Sequence, residues 1–526
     1  MAAICCLMFE FGLSRYCRFY VLPRRAFSRL ILTSLPASMK LLHIRQRPIF
    51  VRLESGIWLI TIALSLGTVA SVWAAQSIAL VHTTAIDPEA GSSRPDQTVV
   101  ISGDRIISIS QAPPPSDARV IDGRGKFLVP GLCDMHVHIA GVTADAKWSR
   151  QTLLPLLIAN GVTTVRDMGG DLDALQSWRR EIEAGRLIGP RIYYAGPMLD
   201  GGKSEPLSLR GISTPNEGRV AVRDLKAKGA DFLKVLSRLD RESYLAIADE
   251  AKKQAMAFVG HVPNSIHASE ASGAGQKSIE HIFYSNLTFD CSVQETELRQ
   301  KSSEARAKGD NVAAAAARDA ANASFSPDKA NTLWQTLVRN NTWVVPTLVA
   351  MRTIGQQREL ARKDPSELCY LPSALRKNWA PGEIEKQVSA KVASWYSAQF
   401  QNDLKIARSM HDAGVQMMAG SDSLDPFNFP GPSLHDELQL LTKVGFTPLE
   451  ALQAATSQPA KFLNIPDFGA LRPRASADLV LLEADPLANI ANTRKIAAVV
   501  VRGKFYSRED LDRMLSEART AANREL

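Results

Sequence analysis

The sequence predicts an α/β protein, a (β/α)8 TIM barrel with a small β-sandwich domain formed from both chain ends. Three observations carry this. Between residues 129 and 459, short apolar β-type runs alternate with amphipathic helical stretches. Repeated βα units imply a parallel sheet, which at this number closes on itself. Short β segments broken by turn signals precede residue 129 and return after residue 460, so the two ends are expected to share one layer. The chain has 526 residues, 45% hydrophobic and 22% charged, a globular balance with enough length for a large core.

Residues 1–74 read as a leader. They hold nine Lys/Arg and two Asp/Glu, a net +7 out of the whole chain's +8. The body is therefore close to neutral, and a nucleic-acid partner is excluded for it. Residues 56–75 carry no charge, Arg45, Arg47 and Arg52 precede them, and Val72 and Ala74 are small enough for a cut after Ala74. That is a positive n-region, an apolar h-region and a cleavage site, and it predicts an exported protein, periplasmic or extracellular. The same run is long enough to span a bilayer, so an uncleaved leader would anchor the chain to the membrane. Met39 is an alternative start that would give a leader of more usual length. Of six cysteines, three lie in the leader; Cys133, Cys291 and Cys369 are too widely spaced for a disulfide framework, and a Cys291–Cys369 pairing stays open.

The body divides at residues 75–128, 129–459 and 460–526. Segments 77–83, 98–110 and 118–128 are β-type, with turns at Asp87-Pro88, Gly103-Asp104 and Asp122-Gly123. From residue 129 the pattern predicts strands at 161–167, 191–195, 231–236, 257–261, 278–281, 342–349 and 415–419. Helices are predicted over 172–184, 219–228 and 241–254, with longer helical stretches at 293–340 and 351–412. Thr447-Pro448-Leu449-Glu450 is a capping box that starts a helix to residue 464. Segments 477–483 and 496–502 return to short β pattern.

The polar residues at the strand ends carry the chemistry. Val129-Pro130-Gly131-Leu132-Cys133-Asp134-Met135-His136-Val137-His138 ends the first barrel strand in a His-x-His pair. Alternate strand residues share a face, which puts the two imidazoles about 7 Å apart, within reach of one metal ion. Lys234 lies in an apolar strand, His261 and His281 end two more, and Asp422 follows the last. The C-terminal strand ends of such a barrel form its active site, so these six residues are expected to converge. Each taken alone has a structural reading: a hydrogen-bonded histidine, a lysine that snorkels to water, an aspartate that caps a helix. Their recurrence at one end of successive βα units points instead to a metal centre.

With these motifs, and with Gly-Val-Thr-Thr-Val-Arg-Asp-Met-Gly-Gly, Ser-Ile-Glu-His and Ala-Gly-Ser-Asp-Ser, the chain resembles the metal-dependent amidohydrolase superfamily, and within it the imidazolonepropionase-like and Xaa-Pro dipeptidase-like branch. The resemblance covers about residues 79 to 504. It implies two divalent metal ions, expected to be zinc. His136, His138 and Asp422 would hold one and His261 and His281 the other. Lys234, carboxylated by carbon dioxide to a carbamate, would bridge them, because an ammonium cannot ligate a dication. A bridging hydroxide would attack, and Asp422 would accept its proton as general base. Single-metal deaminase branches carry a glutamate shortly after the histidine at position 261; here Val-Pro-Asn-Ser follows, which favours amide hydrolysis.

The substrate expected is a dipeptide or an N-acyl amino acid, cleaved at its C–N bond. Arg166 and Arg352 are candidates to pair with its carboxylate, and Tyr284 to hydrogen-bond its carbonyl. His267 and His435 are placed outside the centre. Alternatives are an esterase, lactonase or cyclic-amide hydrolase at the same site, and a catalytically inactive relative acting as a binding protein. A homo-oligomer is common in the family, but no segment specifies one.

Overall fold

Strands from the early and late parts of the described chain meet in one mixed sheet. The computed structural model describes residues 77–141, 146–203 and 208–524; the predicted leader and its apolar run lie outside them. Early strands are β1 (Ile78–Asp87), β2 (Ser92–Ser102), β3 (Arg105–Ser110), β4 (Arg119–Asp122) and β5 (Phe127–Pro130). Late strands are β15 (Leu479–Leu482), β16 (Ile496–Val501) and β17 (Lys504–Ser507). The order is β17-β16-β15-β5-β1-β2-β3, and β4 adds to β1. Parallel β4 and β5 use the two halves of β1, pairing Ile78 with Arg119 and Thr84 with Phe127. Strand β15 reads Leu-Val-Leu-Leu because both faces are covered. Leu479 and Leu481 join a cluster with Leu80, Val99 and Ile106. Val480 and Leu482 face the main core with Leu157, Val162 and Ile496.

The central region is parallel. It consists of β6 (Leu132–Val137), β7 (Val162–Asp167), β8 (Arg191–Tyr194), β9 (Met198–Gly201), β10 (Leu209–Ile212), β11 (Phe232–Val235), β12 (Ala257–Gly260), β13 (Ser278–Glu280) and β14 (Trp343–Val345). Orders are β6-β7-β8 and β10-β9-β11-β12-β13-β14. Backbone bonds also join the groups: Asp231 N–H donates to Tyr194 O, Val344 N–H to Gln416 O, and Met135 N–H to Ala419 O. A buried cluster gathers Cys133, Met135, Phe232, Val259, Trp343 and Val345 from four of these strands with Met418 from the segment after them, and Phe462 and Phe468 pack against it.

Amphipathic helices cover the strands. In Leu172–Glu183 the buried residues are Leu172, Leu175, Trp178 and Ile182, one stripe of a 3.6-residue period. Asp171 caps it by accepting from the N–H groups of Asp173 and Ala174. The expected capping box at Thr447 and Glu450 is present.

Several boundaries differ from expectation. The helix expected from residue 219 begins at Pro215, because Thr214 caps it and proline fits its first turn. The strand expected over 342–349 is only Trp343–Val345; a helix starts at Leu348 after Pro346 and a left-handed Thr347. Segment 415–419 carries an isolated bridge, Val344 to Met417, rather than a ladder. The helix over 447–464 is two, Pro448–Ala454 and Ser457–Leu463. Cys291 and Cys369 are free thiols. Among the described residues no helix is long and apolar enough to cross a membrane.

Candidate metal centre

All six residues expected to converge are buried or nearly so, and five are tied together by measured geometry. On β6 and just beyond it, His136 and His138 share a face with ring centroids 5.4 Å apart. His281 follows β13 with its ring 4.6 Å from His136 and 5.0 Å from His261, which follows β12. Asp422 Oδ1 lies 3.3 Å from His136 Nε2 and 3.4 Å from His138 Nε2. Ligand atoms of His136, His281 and Asp422 lie within 4.8 Å of one another. Lys234, on β11, is 1% exposed, and its charge acts on His136, His261 and His281 alike.

Backbone conformation places these side chains. His281 and Asp422 both have positive φ, 62° and 56°, which turns each side chain out of its strand direction. Gly260 has φ +136°, and a Cβ there would sit 2.1 Å from Val235 O, so only glycine lets β12 approach β11 and deliver His261.

Each imidazole is tied through Nδ1. His136 Nδ1 is 2.9 Å from Glu280 Oε2, and His138 Nδ1 is 3.0 Å from Gly169 O. His261 Nδ1 is 2.7 Å from Ser237 Oγ, and His281 Nδ1 is 2.6 Å from Thr347 Oγ1. A carbonyl and a carboxylate can only accept, so His138 and His136 carry their proton on Nδ1. The two hydroxyls point their own protons elsewhere: Ser237 donates to Tyr284 O and Thr347 to Pro346 O. They too accept from Nδ1, which leaves the lone pair on Nε2 in His136, His261 and His281, while His138 Nε2 faces Asp422 Oδ1. His136 Nε2 is fully buried with no hydrogen-bond donor. Burial, then the Lys234 charge, pushes His136 and His261 well below the ordinary histidine range. Burial and the neighbouring imidazoles do the same to His281. Burial opposes charge on His138 as well, but Asp422 outweighs it and raises that residue. Three neutral imidazoles with lone pairs on Nε2, His138 against the Asp422 carboxylate and a buried lysine beside them fit a divalent metal centre, with the histidines tethered as such sites require.

The residues expected to bind substrate fare differently. Arg166 is fully buried among Phe232 and Phe462. It donates to Met135 O, Ser278 Oγ and Glu280 Oε1, so its charge is spent beneath the centre and the expected carboxylate contact is corrected. Arg352 lies one turn into the helix Leu348–Lys363 and pairs with Asp436 at 2.7 Å. Tyr284 stacks on His261 at 5.6 Å and meets His281 edge-on at 5.3 Å. His267 binds Asp290 and Glu295 away from these residues, and buried His435 is held by Thr493 and Asn160.

Sequence reasoning missed the supports. Asp134 accepts from Ser421 and from the His136 N–H, and burial pushes it up to about 7. Asp167, pushed up by burial to about 6, accepts from Ile139, Ala140 and Gly169, clamping the turn after His138. For Glu280 a signal existed: a glutamate in a short apolar strand beside a candidate ligand needs a buried cation, and Arg166 is one.

A parallel α/β frame thus gathers four imidazoles and a carboxylate, with Lys234 buried among the same strands. The chain belongs to the amidohydrolase family, whose model matches residues 127–506, and it is a hydrolase acting on carbon–nitrogen bonds. Ochratoxinase of Aspergillus niger is 22% identical over 426 residues, covering 70% of this chain and 72% of that protein. Among solved structures, bottromycin amidohydrolase aligns with a TM-score of 0.64 at 23% identity, over 85% of this chain and 90% of that one. A putative prolidase from Bifidobacterium longum gives 0.60 at 24% identity, over 85% and 99%. A Xaa-Pro dipeptidase with bound methionine gives 0.60 at 21% identity, over 82% and 99%. These neighbours share the fold of the branch that the motifs indicated.

Proposed function

We propose that the chain is a binuclear amidohydrolase that cleaves the C–N bond of a dipeptide or an N-acyl amino acid. The observation that carries this is the convergence of His136, His138, His261, His281, Lys234 and Asp422 with every imidazole tethered through Nδ1. His136, His138 and Asp422 would hold one divalent ion and His261 and His281 the other, with Lys234 as the bridge. Zinc suits such a nitrogen and oxygen donor set. Lys234 would bridge as a carbamate: its neutral amine adds to carbon dioxide, one N–H proton leaves, and one negative charge results, shared over two oxygens. Bound divalent ions acidify water and polarise a carbonyl.

The chain's own residues supply the rest. Asp422 takes the proton of the attacking water on its carboxylate and passes it to the leaving nitrogen. Tyr284 donates its hydroxyl to the substrate carbonyl from its place against His261 and His281. Arg352 remains the candidate for the substrate carboxylate. The dipeptide reading draws support from the names of the prolidase and Xaa-Pro dipeptidase neighbours. Closure of the parallel segments into a (β/α)8 barrel is supported by the bonds from Val344 to Gln416 and from Met135 to Ala419. Curling of the mixed sheet into a sandwich is supported by the register shifts along β1. Export rests on the leader's sequence.

The test is turnover on a library of dipeptides and N-acyl amino acids. Wild type is expected to release free amino acid from at least one class. Asp422→Asn is expected to keep the fold and to lose turnover at least 100-fold, the lower end of general-base effects. Unchanged turnover in that variant would remove Asp422 from the base role.

A further inference from the structure

Thr347 occupies the N-cap position of the helix Leu348–Lys363, yet it does not cap it. A threonine there ordinarily accepts an N–H from the first turn with its own hydroxyl. Here Glu437, from the helix Pro432–Lys443, takes that task. Its two oxygens accept from Leu348 N at 3.1 Å and Val349 N at 2.8 Å, and it is fully buried. Thr347 is left-handed, φ 47° and ψ 47°, a conformation that costs a β-branched residue energy and persists only when its surroundings enforce it. The turned hydroxyl donates to Pro346 O at 2.9 Å and accepts from His281 Nδ1 at 2.6 Å.

We propose that Glu437 and Thr347 act together as positioning residues for His281. Glu437 caps the helix in place of Thr347, which turns the threonine hydroxyl onto the imidazole and fixes the tautomer whose lone pair is on Nε2. Neither residue touches substrate. The inference rests on the reading of His281 as a metal ligand. A hydroxyl that accepts only at His281 is a tether of the kind whose loss costs about 10–100-fold in metal affinity.

The experiment is zinc binding to the full chain, measured by competition with a chelator, in wild type, Thr347→Val, Thr347→Ser and Glu437→Gln. Thr347→Val keeps the branch and removes the hydroxyl. It is expected to weaken one of two ions by about 10–100-fold and leave the other unchanged. Thr347→Ser is expected to restore the wild-type value, a rescue that loss of packing alone would not give. Glu437→Gln is expected to weaken the same ion. Should Thr347→Val fail to fold by circular dichroism, Thr347→Ala against Thr347→Ser reads the same contrast. Wild-type affinity for both ions in the hydroxyl-free variant would overturn the positioning role. A wild type that binds no zinc would overturn the metal reading beneath it.

Discussion

Glu280 divides its two oxygens between a histidine and an arginine. Oε2 meets His136 Nδ1 at 2.9 Å, and Oε1 meets Arg166 at 2.7 Å and Ser278 at 2.5 Å. Both Glu280 and Arg166 are fully buried, so removing one leaves the other charge without its partner. Arg166→Met is expected to destabilise the fold by about 3–5 kcal/mol, the cost typical of breaking a buried pair. Arg166→Met with Glu280→Gln is expected to cost less than the two single changes added together, because no isolated charge remains. Denaturant unfolding of the three variants checks this, and simple additivity would contradict it. His136, His138, His261 and His281 were legible in the sequence because each lies at or just past the end of a strand of recognisable pattern. Arg166 was misread for the same reason: a strand-end arginine looks like a rim residue. What shows it pointing into the interior is Glu280, 114 residues away.

Among the elements, the helices between β13 and β14 are held by charge. His267 bonds Asp290 at 3.3 Å and Glu295 at 2.7 Å, while Arg299 and Lys329 pair with the same acids. Hydrogen bonds to Asp290 and Glu295 raise His267 to about 9. Its contribution to stability is therefore complete below about pH 6.5, and it is lost as pH rises through about 9. Burial works to raise Glu295, but bonds from His267 and Lys329 outweigh it and lower that residue, so its contribution is lost only in acid. Thermal midpoints of wild type are expected to fall between pH 7 and pH 10, and His267→Asn is expected to flatten that fall. Parallel curves for the two proteins would show that the cluster does not link stability to pH. The sequence predicted helices here from composition, but their charge pairing joins residues without a shared local period. Likewise the strand at 342–349 was read too long, since Val-Val-Pro-Thr-Leu-Val looks continuous until Glu437 is known to start a helix at Leu348.

The whole molecule joins its two ends. Strand β15 pairs with β5, matching Leu482 with Phe127, and Gly131 N–H donates to Asp478 O just before the His136 strand. The mixed sheet thus holds the base of the strand that delivers the first two histidines. Short apolar runs made most strands legible on their own; the long-range pairing was inferred only from likeness between the ends, and strands β9 and β10 were missed because Gly196-Pro197 and Gly201-Gly202 make that stretch read as a loop. The most direct test of the account is the metal content of the purified full chain after growth with added zinc. About two ions per chain are predicted, with one lost in His136→Ala and in His261→Ala alike. A chain that folds and retains no metal would contradict the account.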